Sequence, residues 1–194
     1  METGKRFTVV LDAGHGGFDP GATFNGLNEK DINLKVCLSL RSLILQSTKD
    51  ITPILTRETD IYIPLRKRCR IANDQGAGYY LSIHCNADMD EDLPGMPEAH
   101  GEEIWYCKGS TKGKLYAEAI ASTIDRIFHD EPFRGIKETP YLYVLKHTLA
   151  PANLVELGFI DNSNTNREFK DPKVIQDIAK CLYESIQLIA QLNT

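Results

Sequence analysis

The chain has 194 residues, of which 42% are hydrophobic and 25% are charged, and its formal net charge at pH 7 is −5. This length and balance suit one soluble globular domain with its own hydrophobic core. An acidic chain lacks the basic patch that a nucleic-acid groove requires, so we expect no nucleic-acid partner. We also expect no transmembrane segment, because no apolar stretch approaches the ~20 residues that a membrane-spanning helix needs.

The first residues and the cysteines bear on the cellular compartment. Residues 1–6 are polar, so no signal peptide is visible. We therefore expect a cytoplasmic protein as written, or a periplasmic, extracellular or cell-envelope protein if a targeting segment has been removed. The cysteines form no C-x-x-C pair, which argues against disulfides and cysteine zinc sites. We predict that they are small buried hydrophobic residues. They are Cys37, Cys69, Cys85, Cys107 and Cys181.

The first predicted element is a buried strand that begins near Val9 and ends in a glycine-rich loop at Gly17. β-Branched and apolar residues closed by glycines are typical of a strand followed by a tight turn. His15 lies in that loop, where open α/β sheets place their ligands. Residues 18–28 are rich in turn residues and are predicted to be irregular. Glu29 begins a helix, because apolar residues then recur along one helical face.

The middle of the chain alternates strands and helices. We predict a strand over 52–57, a helix from Pro64 to about Asn73 and a third strand over 79–84. The third strand ends on His84, as the first ends beside His15. An acidic loop over 87–101, a strand over 102–107 and a helix over 114–128 follow.

The last third is predicted to hold two short strands and a long helix. The strands cover 141–146 and 152–157, and Asp171 and Pro172 begin the helix. The order β-α-β-α-β-β-α-β-β-α predicts one α/β domain over residues 1–194. Its sheet is expected to be largely parallel and twisted, with helices on both faces.

Four candidate site residues occupy equivalent places in this plan. His15, His84 and Glu156 lie at the carboxyl ends of predicted strands, and Glu29 begins the helix after the first. Such ends converge at one edge of a doubly wound sheet. Two histidines, a carboxylate and an open position form the pattern of catalytic zinc, and the second carboxylate would be free to act as general base. The sequence leaves three nearby carboxylates open as alternatives: Asp12, Asp19 and Asp88.

Five segments occur in a fixed order along the chain: LDAGHGGFDPGA, NEKDINL, LTRETD, SIHCNA and LVELGFIDN. Together they resemble the zinc-dependent N-acetylmuramoyl-L-alanine amidases of the AmiC/LytC type. The resemblance implies that His15, Glu29 and His84 are zinc ligands and that Glu156 is the catalytic glutamate. It also implies the substrate, which is the amide between the lactyl group of N-acetylmuramic acid and the L-alanine of a stem peptide. Intact peptidoglycan or a soluble muropeptide could present that bond.

Two other functions stay open at this point. One is a zinc peptidase or deacetylase acting on a different amide, and the other is a binding protein for peptidoglycan fragments that has lost its metal. Some family members carry a helical insert that plugs the zinc site. The segment between Cys107 and Tyr141 has room for one helix and a loop, so we expect no plug.

Each candidate residue also has a purely structural interpretation. The two histidines could be turn and strand-end residues, and Glu29 a first-turn carboxylate favoured by the helix dipole. Glu156 fits such an interpretation least well, because a buried carboxylate without a partner is costly. Arg57 and Asp60 are predicted to form a structural pair. Three further histidines are predicted to lie on the surface: His100, His129 and His147.

Overall fold

The computed structural model describes residues 6–88, 99–124 and 132–193. The elements in chain order are β1 (Phe7–Ala13), β2 (Thr23–Phe24), β3 (Leu27–Asn28), α1 (Glu29–Ser47), β4 (Ile51–Leu55), α2 (Leu65–Asp74), β5 (Tyr79–Asn86), β6 (Glu103–Cys107), α3 (Thr111–Ile124), β7 (Ile136–Thr139), α4 (Tyr143–His147), β8 (Ala152–Phe159), α5 (Ser163–Phe169) and α6 (Pro172–Gln191).

Six of the strands form one sheet in the order β4-β1-β5-β8-β6-β7. The strands β4, β1, β5 and β8 are mutually parallel, whereas β6 pairs antiparallel with β8 and parallel with β7. The predicted α/β fold with a largely parallel sheet is confirmed. The reversed direction of β6 brings its first residue, Glu103, into register with Glu156 near the carboxyl end of β8.

Helices cover both faces of the sheet, as predicted. Successive strand residues point to opposite faces, so Val9 and Val10 enter different hydrophobic clusters. The larger cluster packs α1, α3 and α6 against one face, which we call the three-helix face. The smaller cluster packs α2 and α4 against the other, the two-helix face. His84 and Glu156 belong to the two-helix face, because they alternate in step with Tyr80 and Leu154.

One of the predicted strands, over residues 141–146, is wrong. Residues 141–146 do not form a strand, because α4 covers Tyr143–His147. Val144 and Leu145 are adjacent and both buried, while Tyr141 is 89% exposed. One helical turn can bury two neighbours in this way, whereas a strand would turn them to opposite faces.

Four short elements were not predicted: the strand β7, the two strands of a hairpin, and one helix. The strand β7 has the polar sequence IKET, which carries no apolar alternation. The hairpin of β2 and β3 lies within the segment predicted to be irregular. The helix α5 begins at a side-chain cap, since Asn162 accepts hydrogen bonds from the backbone N–H groups of Asn164 and Thr165.

The other predicted elements are present with shifted ends. The strand β5 continues two residues past His84, so that histidine lies inside the strand. The helix α3 begins at Thr111, three residues before its predicted start, and is described as far as Ile124. Most of the acidic loop and His129 lie outside the described residues. The N-cap of α6 is confirmed, because the Asp171 carboxylate accepts from the backbone N–H of Lys173.

The cysteines and the surface histidines can be compared with their predictions. None of the five cysteines forms a disulfide within the part of the chain that the structure describes; Cys37, Cys69 and Cys85 are buried, and the other two are half-buried. His147 is exposed and His100 is half-buried. No described helix combines the length and the apolar character that crossing a membrane requires.

Candidate metal centre

His15 reaches the site from a strained loop at the end of β1. Its φ is 59°, a conformation that non-glycine residues adopt uncommonly and mostly for a local reason. Gly14 lies so close to His84 that a Cβ there would come within 2.3 Å of the imidazole. A Cβ on Gly21 would come within 2.4 Å of Glu29 Oε2. The glycines therefore leave room for two imidazoles and a carboxylate to meet.

Three donor side chains converge at this point: His15, Glu29 and His84. Their ligand atoms all lie within 4.8 Å of one another. The Nε2 atom of His15 is 3.1 Å from Glu29 Oε2, and Nδ1 of His84 is 2.9 Å from Glu29 Oε1. The two imidazoles are 5.0 Å apart at an angle of 77°. The geometry fits a group that could hold a metal ion.

Glu29 is the first residue of α1, and its carboxylate is turned towards the histidines. Burial alone would raise the pKa of Glu29, but hydrogen bonds and charges from His15 and His84 hold it well below the ordinary value. Backbone N–H groups of Ala22 and Cys85 also donate to this carboxylate, at 2.9 and 3.0 Å. Its negative charge is therefore stabilised before any cation is added.

His15 is oriented by a second carboxylate. Its Nδ1 atom is 2.9 Å from Asp19 Oδ2, which leaves Nε2 facing Glu29. Burial opposes protonation, yet Glu29 and Asp19 together raise the pKa of His15 to about 9. Metal-binding histidines commonly use one ring nitrogen for the metal and the other for such an outer partner. Asp19, which the sequence left open as an alternative site carboxylate, therefore contacts His15 on the side away from Glu29.

The other two carboxylates left open by the sequence are placed elsewhere. Asp12 is 1% exposed and accepts hydrogen bonds from Arg68, Thr56 and Ser82. The backbone N–H of Asp88 donates to Asp161 Oδ2. Within the described part of the chain, the metal-candidate group contains neither.

Glu156 lies beside this group on the neighbouring strand. It is in register with His84 on β5 and with Glu103 on β6, so the three side chains share the two-helix face. Its Oε2 atom is buried and has no hydrogen-bond partner among the described residues. Burial raises the pKa of Glu156 to about 7, with His84 opposing and Glu29 adding to the rise. This carboxyl group can therefore exchange a proton near neutral pH.

Two arginines hold the loop that carries His15; the sequence singled out Arg57 as structural but did not reveal Arg68. Arg57 donates to the carbonyl oxygens of Ala13 and Gly14, at 2.9 Å each. Arg68 donates to those of Ala13 and His15, at 2.6 Å each. Backbone carbonyls leave no sequence signal, so only the fold shows this role.

The predicted pairing of Arg57 with Asp60 is replaced by other contacts. The guanidinium of Arg57 donates to backbone carbonyls, including that of Lys30 at 2.7 Å. Asp60 instead accepts from Lys30 Nζ at 2.6 Å and from the backbone N–H of Gly17 at 2.7 Å. Both residues still brace the loop, so their predicted structural role agrees with these contacts.

A cleft of about 320 Å³ opens beside the two histidines on the two-helix face. Its walls come from the residues before α2 and from the start of α4. A histidine/glutamate group beside a glutamate with one buried oxygen unsatisfied among the described residues, at the carboxyl-end edge of a mostly parallel sheet, is an arrangement suited to metal-dependent hydrolases.

Comparisons with known proteins give the family. The family model described as N-acetylmuramoyl-L-alanine amidase matches residues 9–188. The N-acetylmuramoyl-L-alanine amidase CwlM of Bacillus licheniformis is 36% identical over 177 residues, which cover 89% of this chain and 64% of that protein. The sporulation-specific N-acetylmuramoyl-L-alanine amidase of Bacillus subtilis is 34% identical over 174 residues, with the same two shares.

Solved structures agree with the sequence relatives. The crystal structure of N-acetylmuramoyl-L-alanine amidase from Clostridium difficile 630 superposes with a TM-score of 0.88 at 30% identity, covering 96% of this chain and 98% of that one. The chain therefore belongs to the N-acetylmuramoyl-L-alanine amidase family, and the resemblance seen in the sequence is confirmed. It spans 64% of the length of the two curated relatives named above.

Proposed function

We propose that this protein is a zinc-dependent hydrolase that cleaves the amide between N-acetylmuramic acid and L-alanine in peptidoglycan or muropeptides. The observation that carries the proposal is the convergence of His15, Glu29 and His84 beside Glu156, whose buried Oε2 atom has no hydrogen-bond partner among the described residues. Membership of the family supports the identity of the bond. We further propose that residues 1–194 form the catalytic domain and that it acts at the cell envelope, where peptidoglycan lies.

The donor set supports zinc as the metal. His15, Glu29 and His84 offer two imidazole nitrogens and one carboxylate, which suit zinc, whereas calcium and magnesium prefer oxygen ligands alone. Three protein ligands and an open position are typical of catalytic zinc. A zinc ion held there supplies a Lewis acid for the amide carbonyl and lowers the pKa of water.

The chain's own residues supply the proton transfers and the orientation. Glu156, with its pKa raised to about 7, accepts the proton of the attacking water and donates it to the departing L-alanine nitrogen. Asp19 fixes the ring of His15. Arg57 and Arg68 fix the loop on which that ring is mounted.

The test is digestion of purified sacculi. Amidase activity releases stem peptides that begin with L-alanine and leaves the lactyl group on the sugar as a free acid. Cleavage inside the stem peptide would indicate a peptidase, and release of acetate would indicate a deacetylase. Binding of muropeptides without turnover in zinc-containing buffer would indicate a binding protein, and any of these three results would overturn the proposal.

A further inference from the structure

Two chemically different surfaces adjoin the candidate metal centre on the two-helix face. One is the cleft whose walls carry Tyr62, Leu65, Leu142 and Tyr143, which we call the tyrosine cleft. The other is the cation pair, Arg134 and Lys137, located beyond Glu156 on the β6–β7 side of the sheet. Their different chemistry bears on which half of a substrate each receives.

The tyrosine cleft offers apolar rings and side chains. Tyr62, Leu65 and Tyr143 are 40%, 52% and 37% exposed, and the ring of Tyr62 stacks on Phe18 at 4.2 Å. Its volume of about 320 Å³ lies within the range of small-molecule sites. Such walls suit an uncharged ring with C–H faces, such as a pyranose, better than a charged peptide.

The ionic groups that line the tyrosine cleft are already paired. Asp12 contacts Arg68 at 2.7 Å, and Asp19 contacts His15 at 2.9 Å. His84, the other histidine of the lining, contacts Glu29 at 2.9 Å. All these groups support the site, so the cleft walls away from the metal centre carry no spare charge to attract a charged ligand. The cleft therefore selects for the neutral part of a substrate.

The cation pair has the opposite character. Nε of Arg134 and Nζ of Lys137 each lie 2.6 Å from the same oxygen, Glu103 Oε1. Two positive groups thus share one buried carboxylate, which leaves a net charge of about +1. Their side chains are 37% and 34% exposed. A ligand carboxylate can still reach them and form charge-assisted hydrogen bonds.

The position of Glu156 determines on which side of the site each half of the substrate lies. Under the proposed function, on which this inference rests, Glu156 donates a proton to the leaving nitrogen, so the amine half of the substrate lies on its side. Glu156 is in register with Glu103, which holds the cation pair, and is absent from the described lining of the tyrosine cleft. The acyl half, with its sugar, then lies on the cleft side.

We infer that the N-acetylmuramoyl ring occupies the tyrosine cleft and that the stem peptide runs past Glu156 to the cation pair. The charges agree with this orientation, because the sugar half is uncharged and the peptide ends in a carboxylate. Tyr62 and Tyr143 then determine recognition of the sugar. Lys137 and Arg134 determine recognition of the peptide end.

The sugar half is tested with two substrates, N-acetylmuramoyl-tripeptide and lactoyl-tripeptide, which lacks the sugar. We expect Tyr143→Ala to raise KM for the first roughly 2- to 10-fold, the effect of losing one aromatic contact, and to leave KM for the second unchanged. Tyr141→Ala is the matched control, since Tyr141 is 89% exposed and does not line the cleft. Tyr62→Ala repeats the test on the opposite wall. The ratio of the two KM values within one variant does not depend on its folded fraction.

The peptide half is tested with N-acetylmuramoyl-tripeptide and its C-terminal amide. We expect Lys137→Met to raise KM roughly 10- to 100-fold for the substrate with the free carboxylate, the effect of losing one charge-assisted hydrogen bond, and to leave KM for the amide unchanged. Lys180→Met changes an exposed lysine on α6, which packs on the three-helix face, and is the control.

Three results would be decisive against this inference. Equal effects of Tyr143→Ala on KM for substrates with and without the sugar would overturn the orientation. An equal effect of Lys137→Met on KM for the free carboxylate and for the amide would overturn it too. In both cases the wild type would still cleave the amide, so the proposed function would stand. A zinc-loaded wild type that cleaves none of the three substrates would overturn the proposed function, and this inference with it.

Discussion

Glu156 carries a buried carboxylate oxygen with no hydrogen-bond partner in the described part of the chain. Leaving such a group unsatisfied costs stability, and in enzymes that cost commonly accompanies a chemical role. Its place on β8, in register with His84, puts it next to the three candidate ligands without including it among them. A proton-transfer role separate from metal binding follows from this position.

Replacing Glu156 with glutamine tests that separation. Glu156→Gln keeps the size of the side chain and removes its proton affinity, so we expect kcat to fall about 10²- to 10⁴-fold while zinc stays bound. The loss corresponds to roughly 3–5 kcal/mol of barrier. Turnover and zinc content would be measured on the same sample, with exposed Glu118→Gln as control. A Glu156→Gln variant that lost its zinc would make this residue a ligand, contrary to its proposed role.

At the scale of elements, the site rests on a polar network under the glycine loop. Asp12 on β1 joins Arg68 on α2, Ser82 on β5 and Thr56 just after β4. Arg68 in turn donates to the carbonyl of His15 at 2.6 Å. The buried Asp12–Arg68 ion pair and its hydrogen bonds therefore connect β1, β5, α2 and the end of β4 to the loop that carries His15.

Removing the buried charge of Asp12 on β1 should cost far more stability than removing an exposed charge on α2. Asp12→Asn leaves the buried Arg68 uncompensated, so we expect the free energy of unfolding at pH 7 to fall by about 3–5 kcal/mol. Asp74→Asn breaks the exposed Arg70–Asp74 pair and should cost no more than about 1 kcal/mol. Denaturant titrations give both values, and equal losses would show that the Asp12 network adds no more stability than an exposed ion pair.

The effect of Asp12 also depends on pH in a predictable direction. Although burial would raise the pKa of Asp12, Arg68 and the hydrogen bonds hold it below its ordinary value of 3.8. The carboxylate therefore contributes its full stability above that value and loses it as pH falls through the folded-state pKa. The difference between wild type and Asp12→Asn should shrink below about pH 3.8, where the unfolded chain takes up the proton first. A difference that grew on acidification would contradict this assignment.

The elements also show where prediction from the sequence succeeds and where it stops. Long periodic segments such as α1 and α6 were predictable, because many residues report the same buried face. The strand β7 and the helix α4 have four and five residues, too few to show a period. Among site residues, His15 and His84 stand out through their ordered motifs. Arg68 does not, because its acceptors are backbone carbonyls and an aspartate 56 positions away.

At the scale of the whole molecule, the site exists only because of the sheet order. The strands β1, β5 and β8 are neighbours in the sheet, although the residues they contribute lie far apart in the chain. His15, Glu29 and His84 therefore meet only in the folded protein. The same order places Glu103 one strand beyond Glu156 and Lys137 of the cation pair two strands beyond it. A substrate spanning the site would contact surfaces built from most of the fold.

The most direct test of this account is zinc content measured by elemental analysis after exhaustive dialysis of the folded protein. We predict one zinc per chain in the wild type. His84→Ala should lose it, because two remaining protein ligands rarely hold a catalytic zinc. His147→Ala, which changes an exposed histidine outside the group, should keep it. Equal zinc in wild type and His84→Ala, or none in the wild type, would contradict the account.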